Sequence, residues 1–271
     1  MGGLAWRPPT GVLADLVAAA RRRADALARA GGAPDVLRAG FPTLGQFGSA
    51  LRRPHVAIIA EVKRRSPSKG VLNDTIDPAV RAKAYADGGA AALSVLTEPD
   101  RFGGCLDDLT AARRAVTIPV LRKDFIVHPA QVAEARAAGA GAILLIARAL
   151  DPVEAPELAD AAMRCGLDVL FEVRDEAELA RGVDIRGAAI GVNTRNLETL
   201  EIDPAVGERL LPLIPCDRVA VYESGVATRA DVERAAACGA DAVLVGSALS
   251  RAADPVAAVR ALAGVAVRGR G

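Results

Sequence analysis

Aromatic residues, histidine and cysteine are all scarce in this chain of 271 residues. Trp, Tyr and Phe together make up 3% of the sequence, too little for the aromatic platforms on which single-stranded nucleic acids stack. The two His and four Cys are scattered and include no C-x-x-C pair; the cysteines are Cys105, Cys165, Cys216 and Cys238. We therefore expect neither a metal site nor a disulfide framework, and we predict reduced cysteines.

Strong net charge and long apolar runs are also missing. The formal net charge of +1 argues against a large nucleic-acid footprint. No apolar run reaches the roughly 18 residues of a membrane span, and the opening residues, MGGLAWRPPTG, lack the apolar core of a secretion signal. We predict a cytoplasmic globular protein that binds neither nucleic acid nor membranes and acts as a monomer or weak homo-oligomer.

Lysine is rare as well, with four Lys against 30 Arg. The compact ammonium group of Lys can give up a proton, which Arg cannot do in practice. Lysine is therefore expected where the chemistry needs it, and Lys63 and Lys123 are the candidates. Chance retention at the surface accounts for Lys83 and also explains Lys69.

Internal repetition gives the first information on the fold. The segments DGGAAALSVLTE (87–98), AAGAGAILLIAR (137–148) and ACGADAVLVGSA (237–248) each end an Ala-rich helical pattern with Gly and continue as an apolar run. Gly is the expected helix cap, and a continuous apolar run is typical of a strand buried on both faces. Similar patterns predict eight strands, at 55–62, 90–96, 118–122, 141–146, 167–173, 187–192, 217–223 and 241–245.

Helical patterns lie between these strands and after the last one. They cover 77–87, 105–116, 129–138, 152–165, 175–182, 203–211, 228–237 and 255–264. Four of them open with an N-cap Asp followed by Pro at the first helical position: Asp77-Pro78, Asp151-Pro152, Asp203-Pro204 and Asp254-Pro255. Eight alternating units predict an α/β protein with a (β/α)8 TIM barrel. A doubly wound open sheet is the alternative, although no G-x-G-x-x-G follows any strand.

An amphipathic segment, 12–29, precedes the first strand and predicts an extra N-terminal helix. It either packs over the barrel as support or helps to cover one of its mouths. We predict one domain over 1–271, in which 1–54 is a helical extension packed on the barrel.

Charged side chains cluster where the predicted strands end. The strand ends carry Glu61 and Lys63, Thr97-Glu98, Lys123, Glu172, Asn193 and Arg195, Glu223-Ser224, and Gly246-Ser247. In a (β/α)8 barrel these ends converge on one site. Ion pairing that serves only structure is the alternative for any one of them, but a whole ring of such groups favours acid–base chemistry.

Glycines after the last two strands predict a phosphate site. Gly225 and Gly246-Ser247 let backbone N–H groups approach an anion, at the usual phosphate position of these barrels. The two histidines are interpreted as structural, since His55 begins the first strand and His128 stands where a helix cap is wanted.

The segments AEVKRRSPSKG, LTE with FGG, LRKDFIVHPAQ, LFEV, GVNTRNL, ESGV and VGSAL occur in the order and spacing of indole-3-glycerol phosphate synthase, which the chain resembles from residue 12 to about 250. The resemblance implies a barrel without cofactor or metal in tryptophan biosynthesis. It implies a carboxy-lyase reaction that closes the ring of 1-(2-carboxyphenylamino)-1-deoxyribulose 5-phosphate and releases carbon dioxide and water.

The resemblance also implies roles for individual residues. Lys123 is the expected general acid, Lys63 holds anionic groups of the substrate, and Glu172 acts in dehydration. The full expected catalytic set is Glu61, Lys63, Lys123, Glu172, Asn193 and Ser224. The expected substrate contacts are Ser66, Phe102, Phe125, Leu144, Arg195, Glu223, Gly225, Gly246 and Ser247.

Departures from the family pattern are few. Tyr222 stands where a small residue is usual, and its parity predicts that it faces the helical layer. His128 replaces a common acidic residue. Two alternatives stay open: another phosphate-binding barrel such as phosphoribosylanthranilate isomerase, and a non-catalytic paralog that binds sugar phosphates.

Overall fold

The computed structural model describes residues 6–31 and 45–270. Its centre is a closed barrel of eight parallel strands that alternate with helices, which confirms the predicted (β/α)8 architecture. In chain order the strands are β1 (Ala57–Val62), β2 (Arg65–Ser66), β3 (Gly70–Val71), β4 (Ala92–Leu96), β5 (Val120–Lys123), β6 (Ala142–Ile146), β7 (Asp168–Val173), β8 (Ala189–Asn193), β9 (Ala220–Glu223) and β10 (Ala242–Val245). The short β2 and β3 pair with each other outside the barrel, which closes where β10 and β4 flank β1.

The helices surround the barrel, most of them as an outer layer. They are α1 (Gly11–Arg29), α2 (Gln46–Leu51), α3 (Pro78–Asp87), α4 (Leu106–Ala115), α5 (Pro129–Ala137), α6 (Glu154–Arg164), α7 (Glu176–Asp184), α8 (Pro204–Leu210), α9 (Arg229–Ala237), α10 (Ser247–Arg251) and α11 (Pro255–Leu262). Apolar residues of the strands are buried on both faces, between the barrel interior and this layer.

Side-chain caps start several of these helices as predicted. The carboxylates of Asp77, Asp203 and Asp254 accept backbone N–H bonds at the starts of α3, α8 and α11, with Pro at the first helical position. At the fourth helix the predicted boundary was wrong, since α6 begins at Glu154 and not at Pro152. Asp151 Oδ1 nevertheless accepts from the N–H groups of Val153 and Glu154, which are the bonds expected of an N-cap Asp.

The N-terminal helix α1 lies over the mouth at which the strands end. Thr10, before its first turn, donates from its backbone N to Glu198 Oε1 at 2.7 Å, and Arg23 contacts Asp100 at 2.9 Å. Both acidic partners follow the carboxyl ends of barrel strands, β8 and β4. Of the two roles left open for this helix, the structure therefore favours covering a mouth.

The opposite mouth is covered by α2, which the sequence did not predict. The carboxylate of Asp168, the first residue of β7, accepts hydrogen bonds from the backbone N–H groups of Gly45, Phe47 and Gly48. Phe47 is fully buried against the barrel. Residues 1–5 and 32–44 of the predicted extension lie outside the described part of the chain, so the 1–54 boundary stays a prediction.

Three residues singled out in the sequence make structural contacts outside the barrel interior. His128 caps α5, its Nδ1 accepting from the N–H of Ala130 at 3.0 Å, and His55 forms a bridge with Ala266 before β1. Tyr222 faces α8, where a Cβ on Gly207 would come within 2.4 Å of its ring. These placements agree with structural roles. No helix in the described residues could span a membrane.

Candidate active site

A cavity of about 480 Å³ opens at the carboxyl ends of the barrel strands. All but one of the predicted site residues border it. They are Glu61, Lys63, Ser66, Phe102, Lys123, Phe125, Leu144, Asn193, Arg195, Glu223, Ser224, Gly225, Gly246 and Ser247. They come from seven of the eight barrel strands or the loops that follow them, so the convergence of strand ends brings distant parts of the sequence together.

The exception is Glu172, which lies behind Lys123. Its Oε2 accepts a hydrogen bond from the Lys123 ammonium at 3.0 Å, and its carboxylate borders a smaller side cavity of about 160 Å³. Asn193 and Arg195 border both cavities and form part of the wall between them, whereas Glu172 borders the smaller one.

Lys123 is the electrostatic centre of the cavity floor. Its Nζ lies 3.0 Å from Glu172 and 3.4 Å from Glu223, and both carboxylates are nearly inaccessible to solvent. Burial alone would lower the pKa of Lys123, but the charges of Glu172, Glu223 and Glu61 outweigh it and raise that pKa above its ordinary value. Lys123 therefore keeps its proton in the free protein.

Glu223 has the complementary property. Burial, reinforced by the charge of Glu172, raises its pKa to about 8 despite the opposing effect of Lys123. Its Oε1 is buried without a hydrogen-bond partner in the described residues. Gly191 on the adjacent strand makes room for this carboxyl group, since a Cβ there would lie 2.1 Å from that oxygen.

Glu61 and Lys63 form a second pair on the same wall. The ammonium of Lys63 contacts Glu61 Oε1 directly. Both side chains leave β1 on the same side because their positions differ by two. The pair occupies space that the absence of a side chain at Gly246 leaves free, since a Cβ there would lie 2.1 Å from Glu61 Oε1 and 2.7 Å from Lys63 Nζ.

Asn193 links the groups at the ends of β8 and β9. Its Oδ1 accepts from Ser224 Oγ at 2.8 Å and from the backbone N–H of Arg195 at 2.9 Å. Ser224 has φ +70°, a left-handed conformation that costs a non-glycine residue energy and is concentrated at functional sites. The guanidinium of Arg195 is held by the carbonyl of Leu200 at 2.7 Å.

The remaining residues give the cavity one end suited to an anion and one apolar end. Ser66, Gly225, Gly246 and Ser247 bring hydroxyl and backbone groups to one side, where Ser247 is the first residue of α10. Phe102, Phe125 and Leu144 supply apolar surface. This combination suits a ligand with an aromatic part and a phosphorylated part.

The sequence also misplaced one carboxylate and missed three residues. Glu98 lies just before the turn that follows β4 and does not border the cavity; it accepts hydrogen bonds from the backbone N–H groups of residues 100–102. Lys69, Arg251 and Leu16 border the cavity, although Lys69 had been explained as chance retention. The scarcity of lysine was the signal that could have identified Lys69. Arg251 ends the short helix α10, which had not been predicted.

The described residues contain no group of three or more His, Cys, Asp or Glu side chains that could hold a metal ion. The four cysteines are free.

Comparisons with known proteins agree with this arrangement. A family model described as indole-3-glycerol phosphate synthase matches residues 36–262. The indole-3-glycerol phosphate synthase of Nocardioides sp. is 56% identical over 209 residues, which cover 77% of this chain and 80% of that protein. That of Azospirillum brasilense is 50% identical over 222 residues, covering 80% of this chain and 85% of that protein.

A solved structure supports the fold alone. The 3-hexulose-6-phosphate synthase from Salmonella typhimurium superposes with a TM-score of 0.61 at 17% identity, covering 76% of this chain and 96% of the other. The family match and the curated relatives go further, since they extend over most of the chain at about half identity. The chain belongs to the indole-3-glycerol phosphate synthase family.

Proposed function

We propose that this carboxy-lyase of tryptophan biosynthesis closes the indole ring with Lys123 as its general acid. The proposed substrate is 1-(2-carboxyphenylamino)-1-deoxyribulose 5-phosphate, and the product is indole-3-glycerol phosphate. The observation that carries the proposal is the Lys123 ammonium, held by Glu172 at 3.0 Å and Glu223 at 3.4 Å on the floor of the cavity.

Ring closure requires a proton donor. When the aromatic carbon attacks the carbonyl carbon of the sugar part, the carbonyl oxygen gains negative charge and takes a proton from Lys123. The raised pKa of Lys123 keeps the donor protonated until this oxygen becomes basic enough to accept. The neighbouring carboxylates fix the ammonium in one direction, so the proton is delivered to one oxygen.

Decarboxylation follows because the attacked ring has lost its aromaticity. The bond to the carboxylate breaks, carbon dioxide leaves, and the electron pair returns to the ring. Arg195 and Lys63 hold the carboxylate before it leaves. Burial lowers the pKa of Arg195, although the guanidinium stays charged at neutral pH.

Dehydration completes the aromatic indole. The hydroxyl formed from the carbonyl takes a proton from one of the two lysines and leaves as water, while Glu172 accepts a proton from the ring system. Glu61, Asn193 and Ser224 orient these groups, supported by the contact of Glu61 with Lys63 and by the bond of Ser224 to Asn193.

Binding divides along the cavity. The phosphate lies against Ser66, Gly225, Gly246 and Ser247, and the aromatic ring lies against Phe102, Phe125 and Leu144. Burial raises the pKa of Glu223 to about 8, and its carboxyl group lies beside Lys123, where it can contact a substrate oxygen.

The proposal includes two properties of the whole molecule. Every group named above belongs to one chain, so a monomer or weak homo-oligomer suffices for activity. The four free cysteines support a reducing cytoplasmic location.

Incubation with the proposed substrate tests the activity directly. Indole fluorescence should appear together with one equivalent of carbon dioxide. Absence of both at high protein concentration, with a folded protein, would count against the assigned reaction.

A further inference from the structure

Two cations at the cavity rim, Lys69 and Arg251, have no assigned role in the reaction. Lys69 lies between β2 and β3, and Arg251 is the last residue of α10. Both side chains are largely exposed, and both residues border the cavity. They come from separate segments that flank the serines and glycines at the end of the cavity suited to an anion.

Neither cation is neutralised by a carboxylate of the described residues. Lys63 contacts Glu61, and Lys123 contacts Glu172 and Glu223. Within residues 6–31 and 45–270, by contrast, no carboxylate lies within ion-pair distance of Lys69 or Arg251.

Positive charges surround Lys69 instead. Burial lowers the pKa of Lys69, and the charges of Arg251, Arg195 and Lys63 lower it further. These are the charged groups that face Lys69 from α10, from the loop after β8 and from β1, and the carboxylate of Glu61 is already engaged by Lys63. Like charges held together without an acidic partner are unfavourable in the free protein, and an anion placed among them relieves the repulsion.

The backbone around Lys69 is fixed. Its N–H donates to Ser66 O at 3.3 Å and to Ser66 Oγ at 3.2 Å, inside the β2–β3 hairpin. Ser66 pairs with Gly70 across this hairpin, which defines where the lysine leaves the loop. On the other side, α10 packs against β1, so Arg251 is attached to the barrel wall.

We propose that Lys69 and Arg251 form a two-cation clamp that selects the doubly ionised phosphate of the substrate and ties the β2–β3 hairpin to α10 when the substrate binds. This inference rests on the proposed function for the identity of the phosphorylated ligand. The backbone groups of Gly225, Gly246 and Ser247 accommodate an anion of either charge, whereas two flanking cations favour the dianion over the monoanion.

Inorganic phosphate is the probe, used as a competitive inhibitor and as a ligand of the free protein. Lys69→Met and Arg251→Met should each weaken phosphate binding by about tenfold, the effect of losing one hydrogen bond to a charged group. The same variants should raise KM much more than they lower kcat. Lys83→Met and Arg209→Met are the matched controls, since Lys83 pairs with Asp87 and Arg209 with Glu176 at exposed positions. The controls should leave phosphate binding unchanged.

The pH dependence separates charge selection from simple attraction. Inorganic phosphate loses its second proton near neutral pH, above the value of about 6 for a phosphate monoester, so affinity for phosphate should rise as pH increases through neutrality in the parent protein. Sulfate, which stays doubly charged, reports any titration of the protein itself and should show no such rise. In Lys69→Met/Arg251→Met the rise for phosphate should flatten.

Stability distinguishes the clamp from a structural role. Because the cations repel one another in the free protein, either single variant should unfold at the same or a higher urea concentration than the parent. Unchanged phosphate affinity in both folded variants overturns the inference, as does a phosphate pH profile identical in the parent and the double variant. If the protein makes no indole product and yet phosphate binding falls in both variants, the assigned reaction fails and the clamp stands.

Discussion

The backbone of Gly246 packs directly against the carboxylate of Glu61. A Cβ at position 246 would lie 2.1 Å from Glu61 Oε1 and 2.7 Å from Lys63 Nζ, and both distances are too short for a non-bonded contact of a Cβ atom. Gly246 therefore has two roles in the site. It exposes its backbone at the end of the cavity suited to an anion, and it leaves space for the Glu61–Lys63 pair.

We expect Gly246→Ala to displace that pair and lower kcat/KM by about 100-fold, because misplacement of a catalytic group by about 1 Å costs that much. Steady-state kinetics measure the effect, and circular dichroism checks that the variant is folded. Gly48→Ala is the control, since a Cβ there meets nothing within 4 Å. A folded Gly246→Ala protein with parental kcat/KM would show that the Glu61–Lys63 geometry is not needed.

Glu178 gives a prediction about stability and pH. Burial, with the nearby charge of Asp175, raises the pKa of this side chain from its ordinary value of 4.5 to about 7. Between pH 4.5 and 7, Glu178 therefore keeps its proton in the folded state and has lost it in the unfolded state. The contribution of Glu178 to stability falls as pH rises through this range.

Glu178→Gln should consequently gain stability relative to the parent protein across this window, by about 2–3 kcal/mol at pH 7 and little at pH 4. The amide oxygen can still accept the bond from the backbone N–H of Arg174, which the parent makes at 2.7 Å. Urea unfolding at several pH values measures the difference. Glu176→Gln should show the opposite slope, because hydrogen bonds lower the pKa of Glu176. A pH-independent difference for Glu178→Gln would refute this account.

Tyr222 and Gly207 should be coupled. A Cβ on Gly207 would lie 2.4 Å from Tyr222 Cε2, so Gly207→Ala should destabilise the protein by about 1–3 kcal/mol through overpacking. With Tyr222→Ala present, the same change should be neutral or stabilising by up to about 1 kcal/mol, because Ala favours helix over Gly. Urea unfolding of the two single variants and the double variant completes the cycle. Additive effects would mean that the bulky Tyr222 does not depend on Gly207.

The barrel and much of its site could be predicted from the sequence because the signals are local. Continuous apolar runs, three of them directly after a helical pattern that ends in Gly, located every barrel strand, and alternation along a strand put Glu61 and Lys63 on one face. Convergence of the strand ends predicted that Lys123 and Glu172 lie close together, and the structure places Lys123 Nζ 3.0 Å from Glu172 Oε2.

The remainder depends on contacts that no local pattern reports. Helix α2 starts where three backbone amides meet Asp168, a residue more than 100 positions away. Lys69 leaves a hairpin too short to show any periodicity. Glu98 and Glu172 both lie near the ends of barrel strands, so the sequence pattern treats them alike. Glu98, however, accepts hydrogen bonds from backbone N–H groups of the next loop.

The most direct test of the central claim, that Lys123 is the general acid, is turnover by Lys123→Met. This variant removes the ammonium between Glu172 and Glu223, so circular dichroism and binding of inorganic phosphate must first show that it is folded and that the cavity is intact. Lys83→Met serves as the control for loss of a lysine. We predict that Lys123→Met binds phosphate but forms indole product at least about 100-fold more slowly than the parent protein. A folded Lys123→Met protein with near-parental turnover would contradict the assignment.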